Sequence, residues 1–343
     1  MVEKELFELF NKIAERNDWP EHYEKPEILK LRIEYYAKKL MDKYDSAGQL
    51  WDFLLFLKNW LKNTDSIDEK ILLINSLSYF TFFNTDQCKS LYTEALYGPI
   101  FKWLIEIKNY DILDKELNDK INESIQHTYI SAATDSADIT AMSHTNDLRL
   151  DNMITWRSYI KNIKTEPEET KEKIKKIKIE LCKNDLSNYG YKQIVVLEDY
   201  VGTGDQIKDV IDFFGSFTEW KILFVPLVIC PQGDNAIIKI LNDNKYNHIS
   251  YEPLSILPWE LILSDDRPSN SNELKQILVD LKEYAKNNYN KVMGTEIDSP
   301  QYLGYKNTGS LFAQYTNCPD TTLPLFHHKE NLNWHPLFPR SER

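Results

Sequence analysis

Ile194-Val-Val-Leu-Glu-Asp-Tyr-Val-Gly-Thr-Gly-Asp205 runs directly into Gln206-Ile-Lys-Asp-Val-Ile-Asp-Phe-Phe214, and these two stretches decide how the chain is read. Ile194 to Leu197 are branched and apolar, and they end in two adjacent carboxylates, Glu198 and Asp199. The turn Gly202-Thr203-Gly204 follows. An apolar run bounded by turn residues is a buried strand. Ile207, Val210, Ile211 and Phe214 then recur at helical spacing, so the strand feeds a helix through the turn. The first turn of a helix presents N–H groups and the positive end of its dipole, which suits a phosphate. A charge at the end of an apolar strand is costly without a partner. The acid pair therefore marks this turn as a ligand site rather than a plain connection. Neither standard phosphate loop is present: there is no Gly-x-x-x-x-Gly-Lys-Ser/Thr, and the turn is too short for Gly-x-Gly-x-x-Gly.

Around this unit, strands and helices alternate. His127-Thr-Tyr-Ile-Ser-Ala-Ala133 reads as a strand, followed by the polar turn Thr134-Asp135-Ser136. Met142 to Leu150 and Met153 to Ile160 read as helix, or as helix and strand. Thr165-Glu-Pro-Glu-Glu-Thr170 starts a Lys-rich helix that runs to Cys182. Ile222 to Ile229 is another strand, in which Pro226 suggests a bulge or an edge. The alternation predicts an α/β fold with a mostly parallel sheet and ligands at the carboxyl ends of the strands, where Glu198 to Gly204 lies. Residues up to about 118 read as helical, including a core helix over Leu50–Leu61, and are expected to form a separate region. Residues 119–343 are expected to form the second domain, with a helix from Glu273 to Asn288. Its tail from Gly304, rich in Pro, Asn and aromatic residues, should wrap over a surface, pinned by Trp334, Leu337 and Phe338.

The loop resembles the 5-phosphoribosyl-1-pyrophosphate (PRPP) loop of type I phosphoribosyltransferases. More closely, Glu198-Asp199-Tyr200-Val201-Gly202-Thr203-Gly204 is similar to the divergent phosphoribosyltransferase-like proteins of bacterial conflict and antiphage systems. Gly304-Tyr305, Asn317-Cys318-Pro319, Leu323-Pro324-Leu325 and Trp334-His335-Pro336-Leu337-Phe338-Pro339-Arg340 match the end of those proteins, so the resemblance runs from about His127 to Arg340. It implies a sheet of phosphoribosyltransferase type and a PRPP or ribonucleotide ligand. Glu198 and Asp199 would bond the ribose hydroxyls as the catalytic acids, with Gly202, Thr203, Gly204, Asp205 and Gln206 around the 5′-phosphate. Carboxylates there also suit an oxocarbenium-like centre at C1′. Magnesium would come bound to the substrate, since it prefers hard oxygens and borrows them from phosphates.

The resemblance also places a pyrophosphate loop after the first strand, here Thr134, Asp135 and Ser136, with Arg149 foremost among the cations Arg149, Arg157, Lys161 and Lys164. Tyr200 and Trp259 are the candidate base platforms. The chain departs from the family pattern at Asp205 and Gln206, where small and hydroxyl residues are usual; an acid beside a phosphate repels it unless turned away or capping the helix.

With 343 residues, 42% of them hydrophobic, the chain can bury two cores. A net charge of −12 disfavours binding to nucleic-acid backbones but leaves room for a small anion pocket. No C-x-x-C spacing or signal-peptide pattern is present, so a reduced cytosol is expected. Cys318, His327, His328 and His335 match no standard zinc spacing, and no protein-held metal is expected. Three functions remain open: a phosphoribosyltransferase-like enzyme acting in antiphage defence, an inactive PRPP or nucleotide sensor, and an interaction protein whose helical region docks a defence partner.

Overall fold

A computed structural model of the chain describes residues 2–15, 19–40, 44, 52–134, 136–148, 156–160, 167–269 and 271–340. Among them the strands are β1 (Thr81–Phe83), β2 (Thr128–Ala132), β3 (Gln193–Val201), β4 (Lys221–Ile229), β5 (Ile249–Tyr251) and β6 (Phe312–Gln314). The chain divides into two units, Lys89–Leu257 and a discontinuous one joining Met1–Cys88 to Pro258–Arg343.

The continuous unit is built on one parallel sheet of spatial order β2-β3-β4-β5. Side chains alternate across a strand, and this sheet uses both faces. Ile194, Val196, Ile222 and Phe224 join a core with Cys182, Ile207, Ile211, Phe214 and Ile237. Those partners lie on the helices Glu168–Asn188, Asp205–Phe214 and Pro231–Leu241, which connect successive strands. Parallel crossovers share one hand, so strands paired in chain order send these three helices to the same face, while the short helix Ile139–Thr145 adds Met142 to the opposite one. That opposite face, with Val195, Leu197, Leu223 and Val225, would then lie largely bare. It is covered by Leu96, Ile100, Trp103, Leu104, Ile121 and Ile125, from helical segments that precede β2.

That requirement corrects the boundary expected at residue 118. Residues 89–118 belong with the sheet because its second face needs them. Pro226 also stands elsewhere than on an edge strand, since β4 pairs with β3 on one side and β5 on the other. Its carbonyl accepts from Leu254 N (2.9 Å), so its missing N–H faces the side on which β5 has already ended at Tyr251. Glu252 N to Phe224 O and Leu254 N to Pro226 O carry the pairing past Tyr251, so the ladder lacks one bond there, at the prolyl nitrogen.

In the discontinuous unit, Val2–Ala14, Pro26–Tyr35, Phe53–Leu61 and Ile67–Ser76 are helices as expected, but Pro26–Tyr35 buries Leu29 and Ile33, while Ile28, Leu31 and Tyr35, which share helical spacing in the sequence, are exposed. The helical reading fails at Thr81–Phe83, which forms a parallel strand pair with Phe312–Gln314. The C-terminal residues do not wrap a finished surface; they complete the core. Leu325, Phe326, Trp334, Leu337 and Phe338 are buried with Leu57, Trp60 and Leu77. Phe338 stacks on Phe80 at 4.9 Å and on Phe82 at 5.7 Å, and the indoles of Trp60 and Trp334 both donate to the Leu325 carbonyl. Ring burial on this scale needs a partner on each side, and the N-terminal helices alone cannot supply it. Among the described residues, no helix is long and apolar enough to cross a membrane.

Candidate functional site

β3 carries its apolar run through Leu197, then the acid pair, and ends at Val201, and both acids are buried, Glu198 at 2% exposure and Asp199 at 7%. Neighbouring β2 extends alongside, with Ala133 N donating to the Leu197 carbonyl (2.7 Å). The next residues cross the tip of β3 and meet Glu198. Thr134 donates its amide to Glu198 Oε2 (2.9 Å) and its hydroxyl to Oε1 (2.6 Å), and the Ser136 hydroxyl donates to Oε1 (3.1 Å). Burial, followed by repulsion from Asp199, pushes the Glu198 carboxyl up to about 8 against the pull of these donors. Hydroxyls donate or accept as required, so the cluster holds this side chain in either protonation state. Asp199 Oδ1 accepts from Tyr200 N (2.8 Å), and the Tyr200 hydroxyl lies 3.0 Å from Cys230 Sγ at the end of β4. Burial pushes the Cys230 thiol up to about 12, so it does not act as a thiolate.

The turn after β3 leads into the helix Asp205–Phe214 through Gly204, whose φ of +82° favours glycine. The Thr203 hydroxyl donates to Asp205 Oδ2 (2.8 Å), which folds the acid back onto its own turn at the helix start. A second helix, Pro231–Leu241, brings its first turn against this loop. A Cβ on Gly233 would stand 2.5 Å from the Gly202 carbonyl oxygen. The two chain segments touch backbone to backbone, and only glycine permits that.

A family model named PRTase-CE, describing phosphoribosyltransferase-like proteins, matches residues 57–340. The chain belongs to the PRTase-CE family. No curated protein and no solved structure matches the chain. The PRTase-CE match begins well before His127, so the family covers most of the helical segments as well as the sheet and the tail. The α/β fold with its parallel sheet and N-terminal helices is that of a phosphoribosyltransferase-like protein.

Within this PRTase-CE chain, Glu198, Asp199, Gly202, Thr203, Gly204, Asp205 and Gln206 lie on one strand–turn–helix, with Thr134 and Ser136 brought beside Glu198. The hydroxyls expected to face a pyrophosphate are thus turned to a carboxylate. Asp135, Arg149, Lys161 and Lys164 lie outside the described residues, while Arg157 is exposed on the helix Trp156–Ile160. Trp259 belongs to the discontinuous unit. Of the tail histidines, His327 is buried with Nε2 3.0 Å from the Thr322 carbonyl oxygen, and burial holds its imidazole down at about 3. Among the described residues, no group of three or more His, Cys, Asp or Glu is placed to hold a metal ion.

Gly233 and the Thr134–Glu198 contact were missed in the sequence. Gly233 carries a weak signal, a glycine in the first turn of a helix that follows a strand ending at Ile229. Gly233→Ala is expected to destabilise the 89–257 unit by about 1–3 kcal/mol despite the better helix propensity of Ala, because the clash is with backbone. Denaturant unfolding reads this directly, and an unchanged midpoint would mean that the loop yields without cost.

Proposed function

We propose that this chain binds a phosphoribosyl group at the β3 tip and acts at its anomeric carbon, as a phosphoribosyltransferase-like enzyme. The observation that carries the reading is the run of an acid pair, a glycine turn and a helix N-terminus in a chain of this family. Amides around Gly202 to Gln206 and the helix dipole would hold the 5′-phosphate. Asp199, one turn upstream, would bond the ribose hydroxyls and stabilise positive charge developing at C1′ as pyrophosphate departs. Thr203 reaches a phosphate only by releasing Asp205, so binding would reorder that turn.

Magnesium fits this site as an ion carried in by the ligand. Both Glu198 oxygens are engaged by Thr134 and Ser136, and the described residues offer no cluster of three ligands. When bound, it would neutralise charge on the leaving pyrophosphate. Antiphage defence in a bacterial cytosol is part of the same proposal and is what the resemblance implies.

The test is incubation with PRPP, magnesium and a mixture of bases and nucleotides, following pyrophosphate release and new products. Turnover is expected, and Asp199→Asn should lower it about 10²-fold or more. A second reading, a sensor of PRPP or a nucleotide, is favoured by the engagement of Glu198 and by the acid Asp205 on the phosphate turn. Thermal stabilisation by PRPP without turnover would select it. Neither turnover nor stabilisation would defeat both readings and leave an interaction protein.

A further inference from the structure

We propose that Glu198 is a positioning residue that fastens the loop after β2 to the tip of β3, leaving recognition of the ribose hydroxyls to Asp199. The second clause rests on the phosphoribosyl reading above; the first does not. A carboxyl group offers at most about four acceptor positions, fewer when it is protonated, and one short loop already takes three of those on Glu198, with Thr134 N, Thr134 Oγ1 and Ser136 Oγ. The side chain is 2% exposed, so a ribose hydroxyl would have to displace these bonds in a buried setting. Leaving any of the three donors unpaired there is costly. The geometry is also directional. Ala133 N still pairs with Leu197, so the chain leaves the sheet at Thr134, and Glu198 is the first group past the ladder that can hold it. Thr134 Oγ1 and Ser136 Oγ are 2.5 Å apart, and Ser136 N donates to Thr134 Oγ1 (3.2 Å). The loop is thus closed on itself around one carboxyl group.

A ligand-binding acid and a loop-holding acid are separated by two measurements. The first uses no ligand: hydrogen exchange at the Thr134 amide. Protection is expected in the native chain, exchange about tenfold faster or more in Glu198→Ala, and near-native protection in Glu198→Gln, whose carbonyl accepts the same N–H. Unchanged exchange in Glu198→Ala overturns the proposal. The second compares binding of ribose 5-phosphate with 2-deoxyribose 5-phosphate by calorimetry. Glu198→Ala should weaken both sugars by the same factor, whereas Asp199→Asn should abolish the preference for ribose. Loss of that preference in Glu198→Ala would place Glu198 on the sugar and overturn the assignment. Should Glu198→Ala fail to fold, Thr134→Val removes one donor while leaving the acid, and the same equal weakening is expected; unchanged affinities for both sugars would overturn the proposal. If the native chain binds neither sugar, the phosphoribosyl reading falls, and amide exchange alone judges the loop fastening.

Discussion

A chain lacking residues 324–343 is expected to lose its discontinuous unit while the 89–257 unit stays folded. The deletion removes Leu325, Phe326, Trp334, Leu337 and Phe338 from the core that contains Leu57, Trp60 and Leu77. Large-to-small changes at such sites cost about 2–5 kcal/mol each, and a whole domain is stable by about 5–15 kcal/mol. Five such losses cannot be borne. The graded version is Phe338→Ala, which gives up contacts with Phe80, Phe82 and the edge of Tyr44 and should cost about 3–5 kcal/mol. Limited proteolysis with mass analysis reads both. Cleavage should appear throughout residues 1–88 and 258–323 of the shortened chain, sparing 89–257. Equal protection of the two regions would contradict the unit boundaries.

The second large effect is a pH dependence carried by Glu198. Its carboxyl is held up at about 8 in the folded chain, against an ordinary 4.5 once unfolded, chiefly by burial and then by Asp199. Between those values the folded chain keeps a proton that the unfolded chain has released. Stability from this group is therefore fully present below about pH 4.5 and is lost as pH rises towards 8. Glu198→Gln cannot ionise and lacks that slope. Native and variant proteins should diverge by on the order of 3 kcal/mol between about pH 5 and pH 8, the native chain falling faster. Urea unfolding at several pH values measures the difference. Parallel curves for the two proteins would mean that Glu198 is ionised in the folded chain at neutral pH.

The strand–turn–helix of residues 193–214 was legible because each of its parts leaves a local mark. Branched residues fill a two-sided sheet, a glycine supplies the positive φ, and Ile207, Val210, Ile211 and Phe214 repeat at helical spacing. What was not legible depends on partners distant in the chain. Nothing near Glu198 tells that Thr134 and Ser136 will turn onto it from over 60 positions away. Thr81–Phe83 looks like the end of a helix until Phe312–Gln314 pairs with it. The boundary at 118 followed a change in local pattern, but the second face of the sheet draws residues 89–118 across it. The proline-rich tail looked like a wrapping because irregular backbone hides the aromatic side chains it delivers.

The interrupted unit has a consequence for synthesis. Ribosomes release residues in order, and domains fold as they emerge. Residues 1–88 leave first but cannot finish until Pro258–Arg343 arrive, so the 89–257 segment is expected to reach its native state while the earlier helices still wait. A nascent or prematurely stopped polypeptide would carry a completed sheet and unburied aromatic rings on the waiting helices. Chaperones and proteases read such surface, so full-length translation becomes a condition for this protein to persist in the cell.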